Sequence, residues 1–118
     1  MAEHILLGKR GEEIAVEYLQ GKGFKIIEKS WHFKHKEVDI IAKINDTLIF
    51  IEVKSRTTAY WGNPEEFVSK QKQRFIIAAA ENYVETRQFS GDVRFDIIAI
   101  IFDKNNYTLE YIENAFYP

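Results

Sequence analysis

From Leu7 to Lys22, apolar or small residues fall at Leu7, Gly11, Ile14, Ala15, Tyr18 and Leu19. That spacing is one face of an α-helix, and Gly21-Lys22-Gly23 is its stop signal. Phe24 to Glu28, with Ile26 and Ile27 after the stop, reads as a short strand, and Ser30-Trp31-His32-Phe33-Lys34-His35-Lys36 as a loop or an extension of it. Val38 to Ile44 and Thr47 to Val53 are β-branched apolar runs separated by Asn45-Asp46, which marks a hairpin, so the two are expected to pair antiparallel. Leu48-Ile49-Phe50-Ile51 is apolar without alternation, as in a central strand covered on both faces, and a helix is expected on each side.

A second helix carries Phe75, Ile76, Ala79, Ala80, Tyr83 and Val84 on one stripe and ends near Arg87. Two starts compete for it. Asn63-Pro64-Glu65-Glu66 offers a cap, a proline at the first helical position and a capping-box glutamate, while Ser69 offers a later cap. Val93 to Phe102 reads as another buried strand, Asp103 to Asn106 as a turn, and Tyr107 to Ile112 as an edge strand. The order is α-β-β-β-α-β-β, with no repeat and no linker.

Composition narrows the use of such a layered α/β unit. At 118 residues the chain fits one domain, 1–118, and has no room for a separate recognition domain. Without cysteine it makes no disulfide and no thiolate metal site. Its first residues lack the basic start and apolar run of a signal peptide, and no run approaches the length of a membrane span, so a cytoplasmic location is expected. A net charge of −2 argues against coating nucleic acid non-specifically, though a local basic surface beside an acidic site is compatible with it.

Three charged residues stand where charge is expensive. Asp39 interrupts an apolar strand, and Glu52 and Lys54 end the most hydrophobic one. Such groups normally pair, coordinate a metal or lose their charge. Residues two apart on a strand share a face, so Glu52 and Lys54 point the same way. The hairpin sets Asp39 roughly across from them. Of the first helix's acids, Glu12 lies at the edge of the buried stripe, whereas Glu13 and Glu17 fall toward solvent. Lys72 lies one turn before Phe75 and Ile76, near a helix start whose free N–H groups favour phosphate. An acid-x-lysine triplet at a strand end is common, and an internal salt bridge would account for it. The addition of Asp39, Glu12 and the element order favours a shared site.

These pieces resemble the PD-(D/E)xK nuclease superfamily and, within it, the YraN-like family of small endonuclease-like proteins. The matching segments are Gly8-x-x-Gly11-Glu12-x-x-Ala15-x-x-Tyr18-Leu19-x-x-x-Gly23-Phe24, Glu37-Val38-Asp39-Ile40-Ile41-Ala42 and Phe50-Ile51-Glu52-Val53-Lys54-Ser55-Arg56. Gly62-x-Pro64-Glu65-Glu66, Lys72-Gln73-x-x-Ile76-x-x-Ala79-Ala80-x-x-Tyr83 and Val93-Arg94-Phe95-Asp96-Ile97-Ile98-Ala99 follow. The first three are also similar to archaeal Holliday-junction resolvases, with Glu12 in the position of their helix carboxylate. The resemblance implies a restriction-endonuclease-like core, a central mixed sheet flanked by helices. It makes Asp39 and Glu52 ligands of Mg²⁺ or Mn²⁺, Lys54 the residue that orients water and steadies phosphate charge, and Glu12 an auxiliary carboxylate. The family pattern places a glycine pair before the Glu-x-Asp segment, where this chain has Lys34-His35-Lys36, so the loop beside the site departs from it.

Lys34, His35, Lys36, Arg56 and Lys72 are the candidate nucleic-acid contacts, with DNA the expected partner. His32 and His35 have a metal-compatible spacing but no third ligand to join them. Trp31 and Phe33 suit packing better than base stacking. Arg94 and Asp96 alternate on one strand and read as a structural pair. The aromatic tail with Tyr107, Tyr111, Phe116 and Tyr117 serves either a homodimer or docking on its own core. Three uses of the whole follow: a metal-dependent endonuclease acting on branched or damaged DNA, an inactive nucleic-acid-binding module, or an interaction domain with a buried ion network.

Overall fold

In the computed structural model, which describes residues 3–57 and 68–118, α1 spans Glu3–Gly21, β1 Lys25–Phe33, β2 Lys36–Ile44, β3 Thr47–Thr57, α2 Lys70–Arg87, β4 Asp92–Asp103 and β5 Asn106–Ile112. The element order read from the sequence holds. The helix α1 begins four residues before its apolar stripe, because no breaker precedes Leu7. It ends in a Schellman motif: Gly23 takes φ +92°, its N–H reaches Gln20 O at 3.1 Å, and the Phe24 N–H reaches Leu19 O at 3.0 Å. Ser69 caps α2, its side chain accepting the Lys72 N–H at 3.1 Å. The rival start at Asn63-Pro64 lies outside the described residues.

The strands form one five-stranded sheet in the order β1-β2-β3-β4-β5, parallel between β3 and β4 and antiparallel elsewhere. The first strand is longer than its apolar residues suggested. Trp31, His32 and Phe33 pair with Val38, Glu37 and Lys36, so the basic stretch is a hairpin whose turn has Lys34 at φ 60° where a glycine would sit without strain. At the next hairpin Asn45 takes the positive φ, 53°.

Alternation along the central strands divides the core. Leu48, Phe50, Phe95 and Ile97 pack under α2 against Ile76, Ala79, Ala80 and Tyr83, while Ile49, Ile51, Ile98 and Ile100 pack under α1 against Ala15 and Leu19. Phe50 and Ile49 are both fully buried, as the unalternated run required. Trp31 and Phe33 are packing residues: their rings stack at 6.1 Å, Trp31 meets Tyr83 edge-on at 5.1 Å, and Phe33 meets Phe75 at 5.8 Å. Phe116 closes the α2 core by stacking on Phe95 at 5.3 Å, so this part of the tail docks on its own domain. None of the described helices is long and apolar enough to cross a membrane.

Candidate functional site

The pairing of β2 with β3 runs from Ile44↔Thr47 to Ile40↔Ile51. Beyond it, at Asp39, a side chain takes over from the backbone: Asp39 Oδ2 accepts the Val53 N–H at 2.8 Å. On the other side of Asp39, β1 is distorted at Ser30, which takes φ 50° between the pairs Lys29↔Ile40 and Trp31↔Val38. The Asp39 carboxylate is therefore held in the gap between parting strands, accessible to groups from both faces of the sheet.

From the α2 face comes Glu52, only 2% exposed. Alternation along β3 aims Glu52 and Lys54 to the same side, and Lys54 Nζ stands 3.6 Å from Glu52 Oε2. Lys72, one turn into α2, brings its Nζ to 3.7 Å from the same oxygen. It also donates to the Glu37 carbonyl at 3.4 Å. Oε1 of Glu52 is buried with no hydrogen-bond partner. Burial first, then the Asp39 charge and a hydrogen bond to Asp39 that only the protonated acid makes, push the Glu52 pKa up to about 8, against the pull of the two lysines.

From the α1 face comes Glu12. Burial, the Asp39 charge and then the Glu37 charge raise its pKa to about 7, opposed by a hydrogen bond with Ser30. Helix α1 reaches this position because Gly11 lets it lie close on β3: a Cβ there would stand 2.0 Å from Ser55 Oγ. Glu12 also lines a groove of about 740 Å³ between α1 and β1, together with Lys9, Lys29 and Ser30.

Of the residues singled out in the sequence, Asp39, Glu52, Lys54 and Lys72 come together, and Glu12 joins them through Asp39. Lys36 stands beside them at the β1–β2 hairpin, its Nζ and that of Lys72 lying 5.7 and 5.3 Å from the Phe75 ring. Lys34 folds over its neighbour Phe33, and His35 is exposed at the hairpin tip. Arg56 follows Lys54 on β3 and donates to the Ser55 carbonyl at 2.9 Å. His32 pairs with Glu37 at 3.0 Å. Glu37 and Ser30, which touch Lys72 and Glu12, were not singled out. Reading the Lys34-His35 hairpin as a tight turn would have set Ser30 opposite Asp39.

Arg94 and Asp96 lie apart from this cluster and form the structural pair expected. Asp96 is fully buried, and it accepts from Arg94 Nε and Nη2, from the Asn114 N–H at 3.0 Å and from the Tyr111 hydroxyl.

A mixed sheet in this order, with a helix on each face and an acid, acid and lysine gathered at the parting of its first hairpins, defines a restriction-endonuclease-like α/β protein. The chain belongs to the uncharacterised protein family UPF0102, whose model matches residues 11–100. This is the YraN-like family that its motifs resemble. Similar full-length relatives are UPF0102 proteins of Phocaeicola vulgatus, 49% identical over 100% of this chain and 98% of that protein, and of Christiangramia forsetii, 48% identical over 99% and 98%. One from Flavobacterium psychrophilum is 41% identical over 99% and 98%.

Proposed function

We propose that this protein is a metal-dependent phosphodiester hydrolase of nucleic acid, acting on DNA and directed to branched or damaged structures. The observation that carries the reading is Glu52: a carboxylate almost wholly buried, with one oxygen unpartnered, facing a second carboxylate. With its pKa at about 8, Glu52 stays protonated at neutral pH beside the Asp39 carboxylate, and a bound cation would let both acids ionise. Asp96, equally buried, has every need met, so the fold is able to satisfy a buried acid where only structure is at stake.

Among the described residues no three acids or imidazoles gather into a metal cage. A pair of carboxylates is nonetheless the usual protein share of a Mg²⁺ site, which keeps several waters and takes phosphate oxygens. Asp39 and the unpartnered Glu52 oxygen fit that role and would hold Mg²⁺ or Mn²⁺. Bound there, the ion would supply a polarised phosphate and a water of lowered pKa. The chain's own groups do the rest. Lys54 and Lys72 flank Glu52 and offer positive charge where phosphate charge develops. Glu12, with its pKa near 7, holds or releases a proton at working pH. A compact domain has little surface for reading a long sequence, which favours recognition of nucleic-acid shape over base order.

The test is incubation of the purified protein with junction, flap and single-stranded substrates in Mg²⁺ or Mn²⁺. Metal-dependent cleavage is expected, falling by about 100-fold or more in Lys54→Ala. Absence of any cleavage that depends on both metal and Lys54 overturns the proposal.

A further inference from the structure

A second concave surface lies on the α2 face, at the opposite end of the sheet from Glu52. It is a groove of about 720 Å³ where the β2–β3 turn meets the end of α2, lined by Lys43, Arg87, Tyr83 and Phe89 and, at the turn, by one acid, Asp46. The volume falls within the range of sites that take a nucleotide-sized ligand. Cations and rings alternate here. Arg87 lies 4.2 Å over the Tyr83 ring and 5.9 Å from Trp31, and Lys43 lies 5.9 Å from Phe89. The Schellman ending of α2 fixes Phe89, whose N–H reaches Val84 O at 3.0 Å with Gln88 in the left-handed region.

Arg87 is ion-paired at the rim of the groove. Its partner, Glu28 at 3.7 Å, is itself tied to the Tyr83 hydroxyl, and the Arg87 side chain is 46% exposed. Such exposed pairs are weak and readily exchanged for phosphate. The groove is joined to the candidate site by a half-buried aromatic row, Trp31 and Phe33 of β1 with Phe75 of α2, which ends under Lys36 and Lys72. Lys43 is four residues beyond Asp39 on β2, about 13 Å at strand rise. Arg87 is fifteen residues beyond Lys72 on α2, about 22 Å at helix rise. Cations beside a partly exposed ring, here Phe89, are the physical arrangement for a sequence-tolerant single strand, phosphates on the cations and a base on the ring.

We propose that this groove binds an unpaired stretch of the nucleic-acid strand that leaves the candidate site, with Lys43 and Arg87 contacting phosphates and Phe89 a base. The inference rests on the nuclease reading, because its ligand is the continuation of that site's substrate. It makes the substrate a duplex carrying a single-stranded arm.

Fluorescence anisotropy in Mg²⁺ tests it, with Lys54→Ala in every protein to prevent cleavage. The probes are a short blunt duplex and the same duplex with a single-stranded tail of about 8 nucleotides, each as DNA and as RNA. The tail is expected to tighten binding about tenfold or more, for whichever nucleic acid is the substrate. Lys43→Glu and Arg87→Gln are each expected to remove most of that gain while leaving blunt-duplex affinity, which reports an intact fold, unchanged. Together they should flatten the salt dependence by about 1.4, two phosphates at ~0.7 each. A tail that brings no gain, or a gain that survives both substitutions, overturns the groove. Cleavage by the chain with Lys54 intact is scored in parallel. Cleavage without a tail effect sinks the groove alone, whereas absence of both binding and cleavage sinks the reading of the site on which it rests.

Discussion

Glu52 and Asp96 are both buried acids on neighbouring strands, and their surroundings assign them different work. Asp96 is saturated by Arg94, Tyr111 and the Asn114 N–H. Asp96→Ala strands the largely buried Arg94 charge and is expected to cost about 3–5 kcal/mol in denaturant unfolding. Glu52 has the opposite sign. Its pKa is raised from 4.5 to about 8 by burial and Asp39, and that of Glu12 from 4.5 to about 7. The folded chain therefore holds protons that the unfolded chain releases between those values. The contribution of these two acids to stability is fully present below about pH 4.5 and is lost as pH rises through about 7 and 8 when no metal is bound. Glu52→Gln keeps the shape and removes the ionisation, so at pH 8 it is expected to stabilise the metal-free protein by ~1–3 kcal/mol and to flatten the upper part of the pH profile. A loss of stability in Glu52→Gln at that pH would mark Glu52 as a structural ion.

At the scale of elements, the site depends on how closely α1 lies on β3 and on where β2 leaves β3. Gly11 sets the first. Gly11→Ala places a methyl group against Ser55 Oγ and is expected to push α1 outward, carrying Glu12 from Asp39 and costing about 1–3 kcal/mol. Adding Ser55→Gly should restore most of it, a coupling that a double-mutant cycle measures. The second was only half legible in the sequence. Hairpin register and strand alternation put Asp39 across from Glu52 and Lys54, and the helical stripe chose Glu12 over Glu13 and Glu17, as the structure has them. That pairing stops at Ile40↔Ile51, handing the Val53 N–H to Asp39, is a tertiary feature that no local pattern encodes. The length of β1 was obscured in the same way, because a turn with Lys34 at positive φ lacks the glycine or asparagine by which such hairpins are read.

At the scale of the molecule, the two cores fix two helices against one sheet, and the gap at Asp39 is where groups from both faces meet. The net charge of −2 is spread unevenly. Lys36, Lys54, Arg56 and Lys72 are on strands and helix ends that converge around the acids, the distribution that favours phosphate only once the carboxylates are neutralised. The nuclease reading thus reduces to whether Asp39 and Glu52 jointly bind a divalent cation. Thermal melting of the wild type and of Asp39→Asn at pH 8, with and without Mg²⁺ or Mn²⁺, measures this directly. A metal at about 100 times its Kd is expected to stabilise the wild type by ~2.7 kcal/mol, a rise of several degrees in Tm, and to leave Asp39→Asn unmoved. A wild-type Tm indifferent to either metal, or a rise of equal size in Asp39→Asn, would contradict it.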